Sequence, residues 1–367
     1  MIHCSNCRAP YPTTGVPYRC PTCGGIFDFI ALPPFQTAGV APDLPGLWRY
    51  RHTFDLPSGT PVVSLGEGDT PLVWGNAFGL DVAFKLEYLN PTGSFKDRGS
   101  ALLVSFLKAR GVDFAIEDSS GNAGASLAAY AARAGIRARI FIPDSTSGPK
   151  RAQIEAYGAE IVRIMGPRSN TAQAARRAAA QELAGTHLAY ASHAFLPHGL
   201  PGYATIAYEL VEQMETPPAT VIVPAGQGNL LLAVGRGFNA LQQAGRIDRV
   251  PRLVGVQARA CAPLWAVFQY GAAGLGWVAE GPTLAEGVRI RHPLRGDTLL
   301  QAVGESGGLF VVVDEEDILP GRDQLARQGL YVEPTAAIVW SALRQLAVQA
   351  PEPVVVVLTG SGFKTQQ

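Results

Sequence analysis

Apolar residues in this chain recur either in short runs bounded by glycine or proline or at the spacing of a helix. The apolar runs predict strands at 82–86, 112–116, 139–142, 160–164, 220–224, 251–257, 309–313 and 354–358. The helical spacing predicts helices at 101–110, 125–134, 150–156, 171–183 and 230–241, the first of them beginning near Arg98. Strands that alternate with helices form parallel sheets with right-handed crossovers. The pattern therefore predicts an α/β fold with largely parallel sheets flanked by helices.

Glycine, proline and one aspartate mark the predicted boundaries. Gly111, Gly135 and Gly158 each follow a predicted helix, where a glycine commonly ends the last turn. Asp314 follows the predicted strand 309–313 and is predicted to cap a helix. Residues 30–60 are rich in proline and glycine, which predicts a linker that wraps onto the next domain.

Length and charge limit the possible functions. The 367 residues, 47% of them hydrophobic, suffice for two sizeable lobes and a small appendage. The formal net charge is zero and no run of like charges occurs, which disfavours nucleic acid and membrane surfaces as partners and favours small metabolites. No apolar stretch reaches the roughly 18 residues of a membrane span, and the N-terminus does not resemble a signal peptide. We expect a cytoplasmic protein.

Four of the five cysteines form two closely spaced pairs. Cys4 and Cys7, then Cys20 and Cys23, are each separated by two residues, and the pairs are twelve residues apart. This spacing brings four thiolates around one zinc ion and leaves no position open for a substrate, so the predicted metal is structural. The alternatives are four reduced thiols or two disulfides, and disulfides are disfavoured in a cytoplasmic chain. Cys261 is predicted to be a small buried apolar residue.

One lysine lies in a setting that suggests chemistry. Only five of the 30 basic residues are lysines, and Lys96 lies on a loop of small residues between a predicted strand and a predicted helix. An amine can lose its proton and attack a carbonyl, whereas a guanidinium cannot. Lys96 is therefore a candidate Schiff-base nucleophile. The alternative is a solvated lysine at the start of a helix.

The stretch N-P-T-G-S-F-K-D-R-G at 90–99 resembles the lysine motif of the fold type II pyridoxal-phosphate enzymes, above all the threonine synthase family. Segments at 64–72, 331–337 and 359–364 are similar to other motifs of that family, in the same order, so the resemblance covers roughly residues 60–364. It implies a fold type II enzyme with pyridoxal 5'-phosphate as cofactor. It also implies a zinc-ribbon-like appendage at 1–29, a large cofactor-binding lobe at 30–97 and 196–367, and a small mobile lobe at 98–195.

The resemblance assigns cofactor contacts outside the lysine motif. Asn122 matches the asparagine that contacts the phenolic oxygen of the cofactor, and Thr359 matches the hydroxyl residue that reaches the pyridine nitrogen, with Ser361 as the second candidate. The turn around Asn122 is implied to accept the substrate carboxylate through Ser119, Ser120, Gly121 and Ala123. Without the lysine motif, the same turn would be interpreted as an ordinary strand-to-helix connection.

A second glycine-containing loop follows the predicted strand 220–224. Backbone N–H groups at the start of a helix form an anion site, so we assign the cofactor phosphate to Gly226, Gln227, Gly228, Asn229 and Leu230. The rival interpretation is a dinucleotide loop. The G-x-G-x-x-G spacing fails because Leu231 occupies the third glycine position.

The resemblance implies a specific reaction. Lys96 would hold the cofactor, remove the Cα proton of the substrate and shuttle a proton at Cβ, while phosphate leaves O-phosphohomoserine and water adds to give threonine. Lys150 and Arg289 are candidate ligands of the leaving phosphate, although each could equally be a solvated surface charge. The substrate is a small amino acid, and enzymes of this fold are commonly homodimers.

One segment departs from the family pattern. Threonine synthases carry an asparagine and an arginine near the substrate where this chain reads A-S-H-A-F-L-P-H-G-L-P-G-Y-A-T at 191–205; His193 and His198 are possible substitutes. The alternative function is therefore an ammonia-lyase acting on threonine or serine, or a β-replacement enzyme of the same fold. A different class is a non-catalytic module in which the ribbon docks a partner and the lobe senses an amino acid.

Overall fold

Short runs rich in β-branched residues form the central strands. The computed structural model describes residues 1–119, 121–144, 148–166, 168–182 and 187–365. The strands are β1 (Ile2–Cys4), β2 (Phe27–Phe29), β3 (Leu72–Ala77), β4 (Leu80–Lys85), β5 (Phe114–Glu117), β6 (Arg137–Pro143), β7 (Glu160–Ile164), β8 (Leu188–Tyr190), β9 (Thr220–Pro224), β10 (Arg252–Ala258), β11 (Leu309–Val313) and β12 (Val354–Val357). The four valines of β12 are fully buried, as expected of a parallel strand covered on both faces.

Helices alternate with these strands through most of the chain. They are α1 (Lys96–Ala109), α2 (Asn122–Ala134), α3 (Pro149–Ala156), α4 (Arg168–Glu182), α5 (Leu200–Gln213), α6 (Asn229–Gln243), α7 (Pro263–Tyr270), α8 (Gly296–Glu305), α9 (Glu315–Arg327) and α10 (Pro334–Leu346). Gly135 ends α2 in the left-handed conformation with φ +67°, which confirms its predicted role as a helix-ending residue. No helix within the described ranges combines the length and the apolar character needed to cross a membrane.

The chain divides into two units. Unit 1 comprises Met1–Gly68, Asn90–Gly202 and Lys364–Gln367, and unit 2 comprises Asp69–Leu89 and Tyr203–Phe363. Each unit is described by itself below. The division predicted from the resemblance, with a small mobile lobe at 98–195, remains a prediction.

Unit 1 contains a four-stranded parallel sheet in the order β7-β6-β5-β8 and a separate antiparallel pair, β1 and β2. The proline-rich segment predicted as a linker contributes to the core of this unit, because the 3-10 helix Gly46–Thr53 buries Trp48 and Tyr50. The Trp48 indole donates a hydrogen bond of 2.8 Å to the buried carboxylate of Glu67.

Unit 2 contains a six-stranded sheet in the order β11-β10-β9-β12-β4-β3. All its neighbouring strands are parallel except the edge strand β3, which pairs antiparallel with β4. A single apolar cluster joins the inward faces of these strands with α10. These two parallel sheets flanked by helices confirm the predicted α/β class.

Some predicted details need correction. The helix expected to begin near Arg98 begins at Lys96, so the candidate lysine is its first residue. Asp314 occupies the position that precedes α9, but its side chain forms no capping hydrogen bond; it pairs instead with the guanidinium of Arg259, which lowers the pKa of Asp314. The predicted end of the helix at Leu183 lies outside the described residues.

Candidate functional site

The candidate lysine is presented by a tight turn at the start of α1. Gly93 has φ +84°, a conformation that favours glycine, and its N–H donates a 2.7 Å hydrogen bond to the carbonyl oxygen of Asn90. Lys96 is partly buried, and its Nζ lies 4.6 Å from the centre of the Phe95 ring. The turn therefore holds an amine close to apolar surface instead of extending it into solvent.

Thr92 fixes this turn through all of its polar groups. Its backbone N–H and its hydroxyl each donate a 2.6 Å hydrogen bond to the carboxylate of Asp97. Its carbonyl oxygen accepts 2.7 Å and 3.0 Å hydrogen bonds from Lys364 Nζ and Gln153 Nε2. The Thr92–Asp97 bonds close a short loop that contains Lys96.

The same carboxylate joins α1 to α2. The Ser126 hydroxyl of α2 donates to Asp97 at 2.6 Å and lies 2.8 Å from the Ser100 hydroxyl. Asp97 is fully buried, and this burial raises the pKa of its carboxyl to about 6, against the lowering effect of its hydrogen bonds and of Lys364. The first turns of the two helices that carry Lys96 and Asn122 are thus held together.

The turn before α2 brings two stretches of backbone into close contact. Asn122 is the first residue of α2, and a Cβ at Gly124 would overlap the carbonyl oxygen of Ser119. Ser119, Gly121 and Ala123 flank Asn122, whereas the predicted Ser120 lies outside the described residues. Within unit 1, the structure brings this turn and the lysine turn together.

A pyridoxal phosphate fits the chemistry of this turn. The hydroxyl of Ser94, two residues before Lys96, is buried and has no hydrogen-bond partner in the described part of the chain. Buried hydroxyls are normally paired, so this one is available to a ligand. The cofactor that the lysine motif implies has a phenolic oxygen, a ring nitrogen and a phosphate to offer such a donor.

In unit 2, the predicted phosphate loop leads directly into α6. Gly228 precedes the helix with φ +76°, no side chain caps the helix start, and a Cβ at Gly228 would overlap the side chain of Leu299. A Cβ at Gly226 would lie 2.5 Å from the carbonyl oxygen of Gly287. Only glycine therefore fits at either position, and the N–H groups of the first turn of α6 offer an anion site.

The segment that carries Arg289 packs against this loop. Gly287, Val288 and Ile290 surround Gly226, and the Gly287 N–H donates to the Thr335 hydroxyl at 3.0 Å. The Arg289 guanidinium is partly buried and donates to the carbonyl oxygen of Glu280 at 3.2 Å. The structure thus places Arg289 beside the predicted phosphate loop, although its role as a ligand remains a prediction.

The other predicted hydroxyl residues follow β12. Thr359 is buried, and the segment beyond it is held by Glu333, whose N–H donates to the Gly360 carbonyl oxygen at 2.9 Å. Ser361 forms a bridge to Val332, and its hydroxyl accepts a 3.3 Å hydrogen bond from the Phe363 N–H. Thr359 and Ser361 thus occupy an ordered turn in unit 2.

Lys150 lies at the second position of α3 and is partly buried. Gln153, one turn later on the same face, donates to Thr92, so α3 contacts the lysine turn. The role of Lys150 as a phosphate ligand remains a prediction.

The two histidines of the divergent segment have different environments. His193 is oriented by the buried Glu117, which accepts from the His193 N–H and contacts its Nδ1, both at 3.2 Å. His198 is buried and stacks on Phe106 with ring centres 3.6 Å apart, and Tyr11 meets it edge-on at 4.8 Å. His198 therefore packs in the core, whereas His193 is partly buried beside a carboxylate. A substrate role for either histidine remains a prediction.

The four N-terminal cysteines converge. Their sulfur atoms lie within 4.8 Å of one another, with Cys4 and Cys23 3.5 Å apart and Cys7 and Cys20 3.6 Å apart. All five cysteines of the chain are free thiols in this structure. The backbone of Gly25 hydrogen-bonds Cys23 and holds the pKa of that thiol below its ordinary value. Four converging thiols fit a tetrahedral metal site.

A charged pair that no sequence pattern indicated lies at the end of β4. Lys85 and Glu209 are both fully buried, and Lys85 Nζ donates to Glu209 at 2.6 Å, to the Thr70 carbonyl oxygen at 2.7 Å and to Gln213 at 2.8 Å. Glu209 also accepts from the Asp69 N–H at 2.8 Å. This lysine is therefore structural.

Unit 1 presents a lysine from a glycine-containing turn, and unit 2 places a glycine loop at the start of a helix. Both features are expected of pyridoxal-phosphate-dependent enzymes of fold type II. The chain belongs to this class: the family model described as "Pyridoxal-phosphate dependent enzyme" matches residues 63–360. The predicted family, fold class and enzyme class are thereby confirmed.

Individual relatives extend the comparison over nearly the whole chain. The chain is 31% identical to the threonine synthase of Methanocaldococcus jannaschii, over 99% of this chain and 93% of that one. It is 35% identical to the threonine synthase of Synechocystis sp., over 86% and 84% of the two chains. The solved threonine deaminase of T.th. superimposes with a TM-score of 0.64 at 25% identity, over 81% of this chain and 93% of that one.

Proposed function

We propose that this protein is a threonine synthase-like lyase that converts O-phosphohomoserine and water to threonine and inorganic phosphate. The observation that carries the proposal is the locked turn around Lys96, in a chain that resembles threonine synthases over nearly its full length. The substrate is a small amino acid in either this reaction or the alternative discussed below.

Residues that the sequence motifs indicate would hold pyridoxal phosphate. Lys96 would bind its aldehyde carbon, Asn122 its phenolic oxygen, residues 226–230 its phosphate and Thr359 its ring nitrogen. Bound pyridoxal phosphate supplies a ring that withdraws electrons from the substrate Cα. The released Nζ of Lys96 would remove the proton at Cα and move a proton at Cβ. A neutral Thr359 hydroxyl would leave the ring nitrogen unprotonated, which favours elimination over transamination.

Three groups are candidates for binding the substrate. The Ser119–Ala123 turn would accept the carboxylate, while Lys150 and Arg289 would neutralise the leaving phosphate. Two cations are needed because a phosphate monoester carries about two negative charges at neutral pH.

We also propose that Cys4, Cys7, Cys20 and Cys23 bind one structural zinc ion. Four sulfur ligands within mutual reach support the proposal. The protein is further proposed to be cytoplasmic and to form a homodimer. Light scattering of the purified chain would test the oligomeric state.

The second candidate function is an ammonia-lyase acting on threonine or serine. The specific observation that favours it is the 191–205 segment, which lacks the asparagine and arginine of threonine synthases. Such an enzyme needs no second phosphate site, so Lys150 and Arg289 would then be dispensable.

One experiment separates the two. The purified protein is loaded with pyridoxal phosphate and given O-phosphohomoserine, and phosphate and threonine are measured together. Equal amounts of both products support the proposed reaction, and Lys96→Ala should abolish them. Absence of both products in a protein that has bound the cofactor refutes it, and ammonia release from threonine or serine would then support the second candidate.

A further inference from the structure

Lys364 has contacts that its position near the C-terminus does not suggest. It belongs to unit 1, is only 7% exposed, and donates its 2.7 Å hydrogen bond to the carbonyl oxygen of Thr92. A buried ammonium is costly unless it is paired, so the hydrogen bond to Thr92 helps to stabilise this buried charge. Thr92 belongs to the turn that carries Lys96.

We propose that Lys364 and Asp97 are a pair of positioning residues that fix the orientation of Lys96. The inference rests on the proposed function, in which Lys96 binds the cofactor. Neither residue touches the reacting atoms in this account; both act through Thr92.

Hydrogen bonds hold Thr92 at both its N–H and its carbonyl oxygen. Asp97 binds its N–H and its hydroxyl, while Lys364 binds its carbonyl oxygen. Asp97 directly follows Lys96, so the Asp97 bonds set the start of α1 at the residue that carries the amine. Loss of either set of hydrogen bonds would release the turn that contains Gly93, whose φ is +84°. The amine of Lys96 would then point in a wider range of directions.

The charges of the pair also depend on each other. Asp97 accepts three hydrogen bonds as a carboxylate, and a protonated acid accepts them less well. The Lys364 ammonium lowers the pKa of Asp97 and so favours the form that holds Thr92. Tyr130 is a further titratable group near Asp97. Burial raises its pKa well above its usual range, the charges of Asp97 and Glu67 raise it further, and Arg98 acts in the opposite direction. Tyr130 thus stays neutral wherever Asp97 titrates.

A lysine suits this position better than an arginine. The chain uses lysine for only five of its 30 basic residues. A compact ammonium can reach one buried carbonyl oxygen, whereas a planar guanidinium has five donors to satisfy. Lys364→Arg should therefore restore the charge but not the fit.

The test compares Lys364→Met, Lys364→Arg and Asp97→Asn with the wild-type chain. The matched control is Lys108→Met, because Lys108 also donates to a backbone carbonyl oxygen, that of Ala134, at 2.8 Å, but is exposed. Apoprotein is mixed with pyridoxal phosphate, the condensation of Lys96 with the aldehyde is followed by visible absorbance, and borohydride reduction with peptide mass spectrometry locates the modified lysine. Thermal unfolding followed by circular dichroism verifies that each variant is folded.

We expect Lys364→Met to slow the modification of Lys96 about tenfold and to lower kcat at least as much with KM changed less than about twofold. Lys364→Arg should fall between this variant and wild type, and Lys108→Met should match wild type. In the pH profile of the rate of Lys96 modification, the acidic limb should move to higher pH in Lys364→Met, because loss of a nearby cation raises the pKa of Asp97. Asp97→Asn should remove that limb.

Other results would overturn the inference. A folded Lys364→Met protein with the wild-type rate of Lys96 modification and an unshifted acidic limb would show that Lys364 only fills space. If wild type modifies Lys96 but makes no threonine, the proposed reaction fails, and the tenfold difference in modification still supports the positioning role. If pyridoxal phosphate never modifies Lys96, both proposals are wrong.

Discussion

The buried pair of Lys85 and Glu209 allows a sharp prediction about stability. Neither side chain is exposed, and Lys85 makes three hydrogen bonds, one of them to the glutamate that it neutralises. Lys85→Met keeps most of the side-chain volume but leaves the Glu209 carboxylate buried without its cation. Removing one partner of a buried ion pair costs about 3–5 kcal/mol, which is the expected loss in the free energy of unfolding.

The double variant Lys85→Met with Glu209→Met should recover part of that loss. Thr70 keeps one partner for its carbonyl oxygen, because Gln213 Nε2 also donates to it at 3.0 Å. The Asp69 N–H loses its Glu209 acceptor, but Asp69 is exposed, so water can replace that partner. The double variant should therefore lie within about 1 kcal/mol of wild type and be more stable than the single variant.

Urea unfolding followed by circular dichroism measures these differences, and hydrogen exchange of residues 69–89 localises them. The control is Arg151→Met, which removes an exposed pair with Glu155 and should cost less than about 0.5 kcal/mol. A Lys85→Met protein within about 1 kcal/mol of wild type, or a double variant less stable than the single one, would contradict this prediction.

Three further predictions concern Gly228, Cys20 and Asp97. Gly228→Ala should weaken pyridoxal phosphate binding at least about tenfold, measured by equilibrium dialysis, because a Cβ there overlaps Leu299 and φ is +76°. Cys20→Ser should lower the zinc content from one ion per chain, measured by atomic emission, because a hydroxyl is a poor zinc ligand. Burial raises the pKa of Asp97 to about 6, so the folded protein binds a proton that the unfolded chain has released. Stability attributable to Asp97 should fall as the pH rises from about 4 to about 6, and Asp97→Asn should remove that dependence in pH-dependent thermal unfolding.

Strands that coincide with short apolar runs were predictable from the sequence, because a parallel strand covered on both faces is apolar along its length. The predicted ranges coincide with the observed ones for the central strand β9 and also for β7 and β11, which lie at the edges of their sheets. By contrast, the edge strand β3 was not predicted, since Val73 and Trp74 are exposed and the segment has no continuous apolar run. β3 is specified by its antiparallel pairing with β4, and that information is not local.

The candidate lysine was predictable, but the side chains that hold it were not. Lys96 was identified from its small-residue neighbours and its motif. Asp97 and Lys364 lie in segments that match family motifs, yet the hydrogen bond of Lys364 to Thr92 joins residues 272 positions apart. His198 shows the converse: a histidine in a loop suggested a surface or substrate role, whereas it stacks on Phe106 in the core.

Two buried lysines lie next to the points where the chain passes from one unit to the other. Lys85 lies four residues before the passage at Leu89, and Lys364 directly follows the passage at Phe363. An apolar pair of equal size would stabilise a core at least as well as a buried ion pair, so stability alone does not explain charges at these positions. A charged hydrogen bond, however, fixes direction as well as distance, whereas apolar contacts tolerate sliding. Lys85 fixes Thr70 and Lys364 fixes Thr92, each through a backbone carbonyl oxygen within three residues of a passage. The two lysines therefore hold the backbone in a defined path where it leaves or enters a unit, and one of those paths leads directly to Lys96.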